Sequence, residues 1–244
     1  MSDPTLEPKT SPGEISQWPM LKIVYRTDPG KIAELLPPGI EVCETANVTL
    51  TIYNLPVSEE PEYGILMTVD AKYEGIPGEW CLGYGIDQEA PIFICQSANG
   101  QPKFPCDTAY YRFGDKVSAR SSHQGYTFVE FEGVLGEEDP LPEEGIERHE
   151  WWVKVSRQVG FGKGYDFPPH VVRVKSTYAT QYRENVEGKL TLLESPWDPI
   201  ARLLPQRELL TVQLDTPTWL GRDITLEDPL DPDAFWPHVD TISG

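Results

Sequence analysis

Apolar and polar residues alternate with a period of two along most of the chain, in short segments separated by Gly, Pro, Asp and Asn. In residues 48–53, Val48, Leu50 and Ile52 fall on one side and threonines and a tyrosine on the other. Such alternation is typical of strands with one buried face. Residues 23–28 are also expected to be a strand, and the same pattern predicts strands at 65–73, 80–86, 92–96, 116–121, 126–134, 151–159, 171–178, 190–193 and 209–214.

Two short helices are predicted between these strands. Thr27 or Asp28 can cap the first, Pro29 suits its first turn, and an apolar face follows before a Pro-Pro pair ends it. The second runs over residues 198–204, with Asp198 as the cap and Pro205 as the stop. The whole pattern predicts an α+β fold that is mostly antiparallel β, closing into a barrel or sandwich.

Residues 1–18 are polar and rich in Pro and Ser, which predicts a disordered or extended tail. Residues 19–244 are expected to form a single domain, whose acidic end from Asp223 onward wraps the surface. No secretory signal pattern and no apolar run of transmembrane length is visible. The four cysteines have no Cys-x-x-Cys spacing, so reduced thiols in a cytoplasmic protein are the favoured interpretation.

The charge excludes several partners. With 39 acidic against 20 basic residues the formal net charge is −19, which argues against nucleic acid and anionic membranes as partners. The four histidines are scattered without metal-ligand spacing, so we expect no metal and no cofactor. A serine hydrolase is also disfavoured, because no Gly-x-Ser-x-Gly elbow is present.

One lysine has unusual neighbours. Lys103 follows the apolar segment 92–96 and lies between Pro102 and Pro105, which predicts a stiff loop outside any central sheet ladder. Burial disfavours the charged ammonium, and a neutral lysine can attack a ketone. An exposed lysine without a chemical role is the alternative. The aromatic residues expected to form apolar walls around it are Trp80, Tyr84, Phe93 and Phe104.

Several short motifs resemble the acetoacetate decarboxylase superfamily in order and in spacing. They are residues 23–28, 78–80, 87–89, 100–103 (Gly-Gln-Pro-Lys), and 188–190 through 197–199. The resemblance extends from Trp18 to about His238. It implies a barrel-like α+β domain with a central apolar pocket, a homo-oligomer, and Lys103 as the residue that forms a Schiff base with a ketone.

The chain departs from the family pattern near this lysine. Known members carry a second lysine next to the first, where this chain has Phe104, so the resemblance implies activation by desolvation alone. An arginine and two acidic residues of decarboxylating members fall on Trp18, Thr51 and Gly64, and Gln96 lies where relatives are charged. A neutral, bulkier pocket and an apolar small-molecule carbonyl substrate are therefore expected.

Three functions remain open from the sequence. The first is a lysine-dependent lyase of secondary metabolism that decarboxylates a keto acid or performs aldol condensation and dehydration. The second is a non-covalent cyclase or isomerase that uses the same pocket on a polyketide-like or terpenoid substrate, and the third is a non-catalytic ligand-binding protein. Arg112 or Arg120 are candidates for meeting a substrate carboxylate. Lys103 is the predicted catalytic residue, and the predicted substrate-binding residues are Trp18, Thr51, Trp80, Tyr84, Phe93, Gln101 and Phe104.

Overall fold

A computed structural model describes residues 19–57, 60–142, 145–160 and 162–239. The predicted tail, residues 1–18, lies outside them. The strands are β1 (Met20–Arg26), β2 (Ile40–Val42), β3 (Asn47–Val57), β4 (Glu60–Tyr73), β5 (Ile76–Ile86), β6 (Lys103–Pro105), β7 (Asp107–Phe113), β8 (Lys116–His123), β9 (Tyr126–Glu138), β10 (Ile146–Arg157), β11 (Tyr165–Leu192) and β12 (Glu208–Pro229). The helices are α1 (Pro29–Leu35), α2 (Glu89–Asn99), α3 (Ile200–Leu203) and α4 (Pro232–Phe235), followed by a 3-10 turn at Trp236–His238.

Seven strands form a barrel-like ring in the order β10, β5, β4, β3, β1, β12, β11, which closes where β11 pairs with β10. Strands β9, β8 and β7 continue the sheet from β11, β2 pairs with β4, and β6 pairs with β5. Most pairings are antiparallel, whereas β5 pairs in parallel with both β10 and β6. The mostly antiparallel, barrel-like fold with a few short helices is therefore confirmed.

The two faces of the ring strands have different surroundings. On β1, Leu21 and Ile23 are fully buried in the main hydrophobic core, while Lys22 between them faces the ring interior. That core also contains Phe128 and Phe131 of β9. The core therefore joins the ring to the β7–β9 extension, and the interior of the ring is left to other side chains.

Several predicted elements are confirmed with longer bounds. Strands β1, β3 and β4 and helix α1 lie where the pattern places them, and Asp28 caps α1 by accepting from the Gly30 amide. The segments 171–178 and 190–193 are parts of one 28-residue strand, β11. The predicted acidic tail from Asp223 onward begins within a strand, because β12 continues to Pro229.

The prediction of a strand at 92–96 is wrong, because these residues lie in helix α2. A short apolar run does not by itself distinguish a strand from a helix. Here Ile92 is buried while Phe93 and Ile94 are 63% and 64% exposed, so one side of the helix packs. Gly100 ends α2 in the left-handed conformation, with φ of 66°, which glycine adopts without steric cost.

The expectation of a loop at Lys103 is also wrong. Strand β6 pairs in parallel with β5, with Lys103 opposite Tyr84, and the Gln96 side-chain amide donates to the Lys103 carbonyl. Prolines are compatible with an edge strand, where the missing amide donor is not required by a second neighbour.

The parallel contact between β5 and β10 is short and close. It pairs Glu79 with Glu150 and Trp80 with Trp151. Gly78 lies directly before it, and a Cβ there would be 2.5 Å from the His149 carbonyl oxygen and 2.8 Å from Trp151 Nε1. Glycine at this position therefore allows the ring to close.

No helix in the described ranges is long and apolar enough to cross a bilayer.

We expect Gly78→Ala to destabilise the fold by about 1–3 kcal/mol, because the added methyl group would lie 2.5 Å from the backbone carbonyl oxygen of His149. Gly221→Ala on β12 is the control, since a Cβ there meets nothing within 4 Å and should change stability by less than about 0.5 kcal/mol. Urea unfolding of both variants measures the effect. Equal stabilities would contradict the role given to Gly78.

Candidate functional site

The ring encloses a cavity of about 120 Å³ to which all seven of its strands contribute side chains. This is small beside the ~300–1,000 Å³ typical of ligand pockets, so a small guest is favoured. Its lining residues include Met20, Lys22, Thr51, Tyr53, Leu66, Glu79, Tyr84, Arg148, His149, Glu150, Val174, Ser176, Tyr178, Thr180, Asp215, Pro217 and Arg222.

The lining carries charge of both signs. It includes the cations Lys22, Arg148 and Arg222 and the carboxyl groups of Glu79, Glu150 and Asp215. The neutral, apolar pocket expected from the sequence is therefore wrong, because charged side chains of the ring strands contribute to its lining. Among the described residues no group of three or more His, Cys, Asp or Glu side chains is arranged to hold a metal ion.

Lys103 lies beside a residue of the cavity wall, Tyr84, and is 7% exposed. Its Nζ lies 3.3 Å from Glu62 Oε2 and 5.8 Å from the centre of the Tyr84 ring. Glu62 Oε1 in turn accepts a hydrogen bond of 2.9 Å from the Tyr53 hydroxyl. Tyr53 and Tyr84 both line the cavity, so the lysine and its carboxylate lie next to its wall.

The structure therefore does not leave Lys103 as an isolated amine among apolar walls. An unpaired buried charge is costly, and an ion pair with added hydrogen bonds offsets much of that cost. Burial, Tyr84 and Glu62 hold the pKa of Tyr53 well above its ordinary value, so its hydroxyl stays protonated and donates to Glu62. The desolvation-only environment predicted for the lysine is corrected to a buried Lys103–Glu62–Tyr53 cluster.

Two predicted substrate-binding residues line the cavity. Thr51 is the register partner of Lys22 across β1 and β3, and Tyr84 lies beside Lys103. Phe104 is not a wall of the cavity, because successive residues of a strand point to opposite faces. It packs against Gly83 and Gly85 on the core side.

Trp80 also lies in the main core and lines a separate cleft with Leu35 and Phe235. Phe93 is exposed on α2, so it is not a wall either. Gln101 is buried, and its backbone carbonyl accepts from the Lys103 amide at 2.8 Å, which fixes the strand and not a substrate. Trp18 lies outside the described residues.

Neither arginine considered for a substrate carboxylate is among the described lining residues. Arg112 on β7 pairs with Glu184 at 3.3 Å, and Arg120 on β8 lies on the outer extension. Arg148 and Arg222 line the cavity instead, although both residues are exposed to solvent. The sequence gives little indication that Arg148 and Arg222 line a cavity, because a charged residue on the polar face of a strand is ordinarily exposed to solvent.

Two lining groups have shifted proton affinities. Burial, with a further contribution from Glu79, raises the pKa of Glu150 to about 7. Desolvation, together with the Arg148 guanidinium, lowers the pKa of Lys22. The cavity therefore contains a carboxyl group that exchanges protons near neutral pH and an ammonium that is destabilised by its surroundings.

We expect Glu62→Gln to cost about 3–5 kcal/mol of stability, because it leaves the buried Lys103 ammonium without its counter-charge. Adding Lys103→Met should recover part of that loss. Urea unfolding of the wild type, both single variants and the double variant gives the coupling energy.

The exposed pair Lys31–Glu34, 2.8 Å apart, is the matched control for this cycle. Glu34→Gln should cost less than about 1 kcal/mol. A cost for Glu62→Gln as small as this would show that the buried pair does not stabilise the fold.

Glu150 should also make stability depend on pH. Its folded pKa of about 7 lies above its ordinary value of 4.5, so the folded state binds the proton more tightly. The free energy of unfolding should therefore fall by up to about 3 kcal/mol as pH rises from 4.5 through 7. Glu150→Gln removes this contribution, and urea unfolding at pH 5 to 8 tests it; parallel profiles for the two proteins would refute it.

Comparison with known proteins supports one family. A family model described as acetoacetate decarboxylase (ADC) matches residues 2–228. A search of the curated protein sequences returns no significant match.

Similar solved structures share the fold at low sequence identity. Acetoacetate decarboxylase from Legionella pneumophila subsp. pneumophila str. Philadelphia 1 has a TM-score of 0.70 and 17% identity, covering 86% of this chain and 82% of that one. An acetoacetate decarboxylase-like enzyme from Sphingomonas wittichii RW1 has a TM-score of 0.68 and 15% identity, covering 87% and 91%. The enduracididine biosynthesis enzyme MppR, complexed with pyruvate, has a TM-score of 0.66 and 17% identity, covering 84% and 87%. Because the family model spans nearly the whole chain, the protein belongs to the acetoacetate decarboxylase family.

Proposed function

We propose that this protein is a lysine-dependent lyase that forms a Schiff base between Lys103 and a small keto acid. The observation that carries the proposal is the Lys103–Glu62 contact of 3.3 Å next to the cavity wall. Glu62 is placed to take a proton from the ammonium, which leaves a neutral amine for attack on a carbonyl carbon. The Tyr53 hydroxyl holds Glu62 in position.

The chemistry follows from the imine. The lysine nitrogen adds to the ketone carbon, the resulting carbinolamine loses water, and a positively charged iminium remains. That iminium draws electrons from an adjacent bond, so a β-keto acid loses carbon dioxide to an enamine. An α-keto acid instead loses an α-proton to an enamine, which can attack an aldehyde and then dehydrate. Both reactions require one amine and one proton-transfer group.

The charged cavity favours a substrate with a carboxylate as well as a carbonyl. Lys22, Arg148 and Arg222 can attract the carboxylate, while about 120 Å³ of space favours a small molecule. A structurally similar enzyme, MppR, is described in complex with pyruvate and with the condensation product of pyruvate and imidazole 4-carboxaldehyde. Small α-keto and β-keto acids are therefore the first substrates to test, in place of the apolar substrate expected from the sequence.

A non-covalent reaction in the same cavity is the second candidate. It is favoured by one observation: Lys103 is held in an ion pair and is not among the described residues that line the cavity. The cavity carboxyl groups would then act alone on a bound guest.

The expected location in the cytoplasm and the homo-oligomeric state stay predictions. Four free cysteines in the structure support the first of them.

The test is reduction with borohydride in the presence of pyruvate and, separately, acetoacetate. We expect the intact mass to rise by one reduced adduct, and peptide mapping to place it on Lys103. The double variant Lys103→Met with Glu62→Gln should fold without an unpaired charge and give no adduct, whereas Lys31→Met should be trapped like the wild type. The control is a decarboxylase known to form a Schiff base through a lysine of its own. If this control is trapped and no adduct forms on the protein, the Schiff-base function is refuted. Full turnover by the double variant would favour the non-covalent alternative.

A further inference from the structure

Two carboxyl groups meet where the ring closes. The parallel register of β5 and β10 places Glu79 directly opposite Glu150, and both side chains line the cavity. The indole nitrogen of Trp152 donates to Glu150 Oε1, which fixes the orientation of that carboxyl group. This pair has no part in the Lys103–Glu62–Tyr53 cluster.

Glu150 also interacts with residues of β5 that follow Glu79. It interacts with the thiol of Cys81, and its charge contributes, after burial, to raising the pKa of Tyr84. Tyr84 is the cavity residue whose ring lies 5.8 Å from Lys103 Nζ. A guest bound to Lys103 and entering the cavity past Tyr84 would therefore face Glu150.

The surroundings of Glu150 favour its protonated form. Burial, with a further contribution from the neighbouring charge of Glu79, raises the pKa of Glu150 to about 7. The other titratable and charged groups that line this interior are Lys22 on β1, Tyr53 on β3, Tyr84 on β5, Arg148 and His149 on β10, Tyr178 on β11, and Asp215 and Arg222 on β12.

A further buried group in this lining suggests that the cavity receives a polar guest. Asp215 is 8% exposed, and its Oδ2 accepts from Arg183 at 3.1 Å. Its Oδ1 is buried and has no hydrogen-bond partner among the described residues. A buried acceptor without a donor is costly, and a donor on a bound molecule would satisfy it.

We propose that Glu150, paired with Glu79, is the catalytic acid–base of the cavity and transfers the α-proton of a keto acid bound to Lys103. This inference rests on the proposed Schiff-base function. It assigns transfer of the α-proton to a carboxyl group where β5 meets β10, and it leaves the proton of the ammonium to Glu62.

The step balances without a further reactant. The Glu150 carboxylate takes the proton from the carbon next to the iminium. The C–H electron pair becomes the C=C bond of the enamine, and the C=N π pair moves to nitrogen, which loses its positive charge. In the reverse direction the Glu150 carboxylic acid returns the proton to carbon, the enamine becomes an iminium again, and water can then release the product.

Exchange of the methyl protons of pyruvate in deuterium oxide, followed by proton NMR, measures this step directly. Borohydride trapping of pyruvate measures imine formation separately. Glu150→Gln should keep trapping near the wild-type level and slow the exchange by at least about a hundredfold. Glu34→Gln, a change of an exposed glutamate, should leave both unchanged.

The pH profile distinguishes catalysis from a structural effect. In the wild type the exchange rate should rise with pH through about 7, as Glu150 becomes a carboxylate. Glu79→Gln removes the neighbouring negative charge, so the midpoint should move to lower pH while exchange persists. A carboxyl signal that titrates near neutrality in carbon-13 NMR should disappear in Glu150→Gln and shift in Glu79→Gln.

The outcomes separate the two proposals. If the wild type is neither trapped nor exchanges pyruvate, the Schiff-base function fails and this inference falls with it. If the wild type is trapped and folded Glu150→Gln exchanges as fast as the wild type, the Schiff-base function stands and the role of Glu150 is overturned. A midpoint that does not move in Glu79→Gln would refute the pairing.

Discussion

Closure of the ring between β5 and β10 is the contact on which the site depends. This parallel pairing is only two residues long, and it needs Gly78 because a side chain there would collide with the β10 backbone. Antiparallel pairing of β10 with β11 completes the ring on the other side. Without the β5–β10 contact the interior would open at that point, and the charges that line it would return to water.

Strand β5 also connects the two halves of the proposed chemistry. Its first half pairs with β10 and presents Glu79 beside Glu150, and its second half pairs with β6 and presents Tyr84 beside Lys103. Gly83 and Gly85 let Phe104 pack closely beneath this second half. Strand β5 therefore pairs both with the strand that carries the amine and with the strand that carries Glu150, and a shift in its register would change both pairings.

The lysine and the carboxyl pair face different electrostatic problems. Lys103 and Glu62 are both buried, and each compensates the charge of the other. Glu79 and Glu150 have the same sign, and burial together with the charge of Glu79 raises the pKa of Glu150 to about 7. The first arrangement offsets charge, and the second contains a carboxyl group that exchanges a proton near neutral pH, as the proposed proton transfer requires.

Local patterns in the sequence were enough to predict most of the strands, helix α1 with a cap at Thr27 or Asp28, the family and the burial of Lys103. They failed for α2, because an apolar run of five residues fits a strand as well as a helix, and for Phe104, whose face depends on the register of β6. The inward residues Lys22, Glu79, Glu150 and Asp215 were missed for a related reason. Alternation shows that they lie on the polar face of a strand, and it is closure of the ring, a contact between residues far apart in the chain, that makes this face an interior. The sequence by itself determined which residues alternate along the strands and which lysine follows the Gly-Gln-Pro motif. The tertiary structure decided which charged side chains line the cavity beside that lysine.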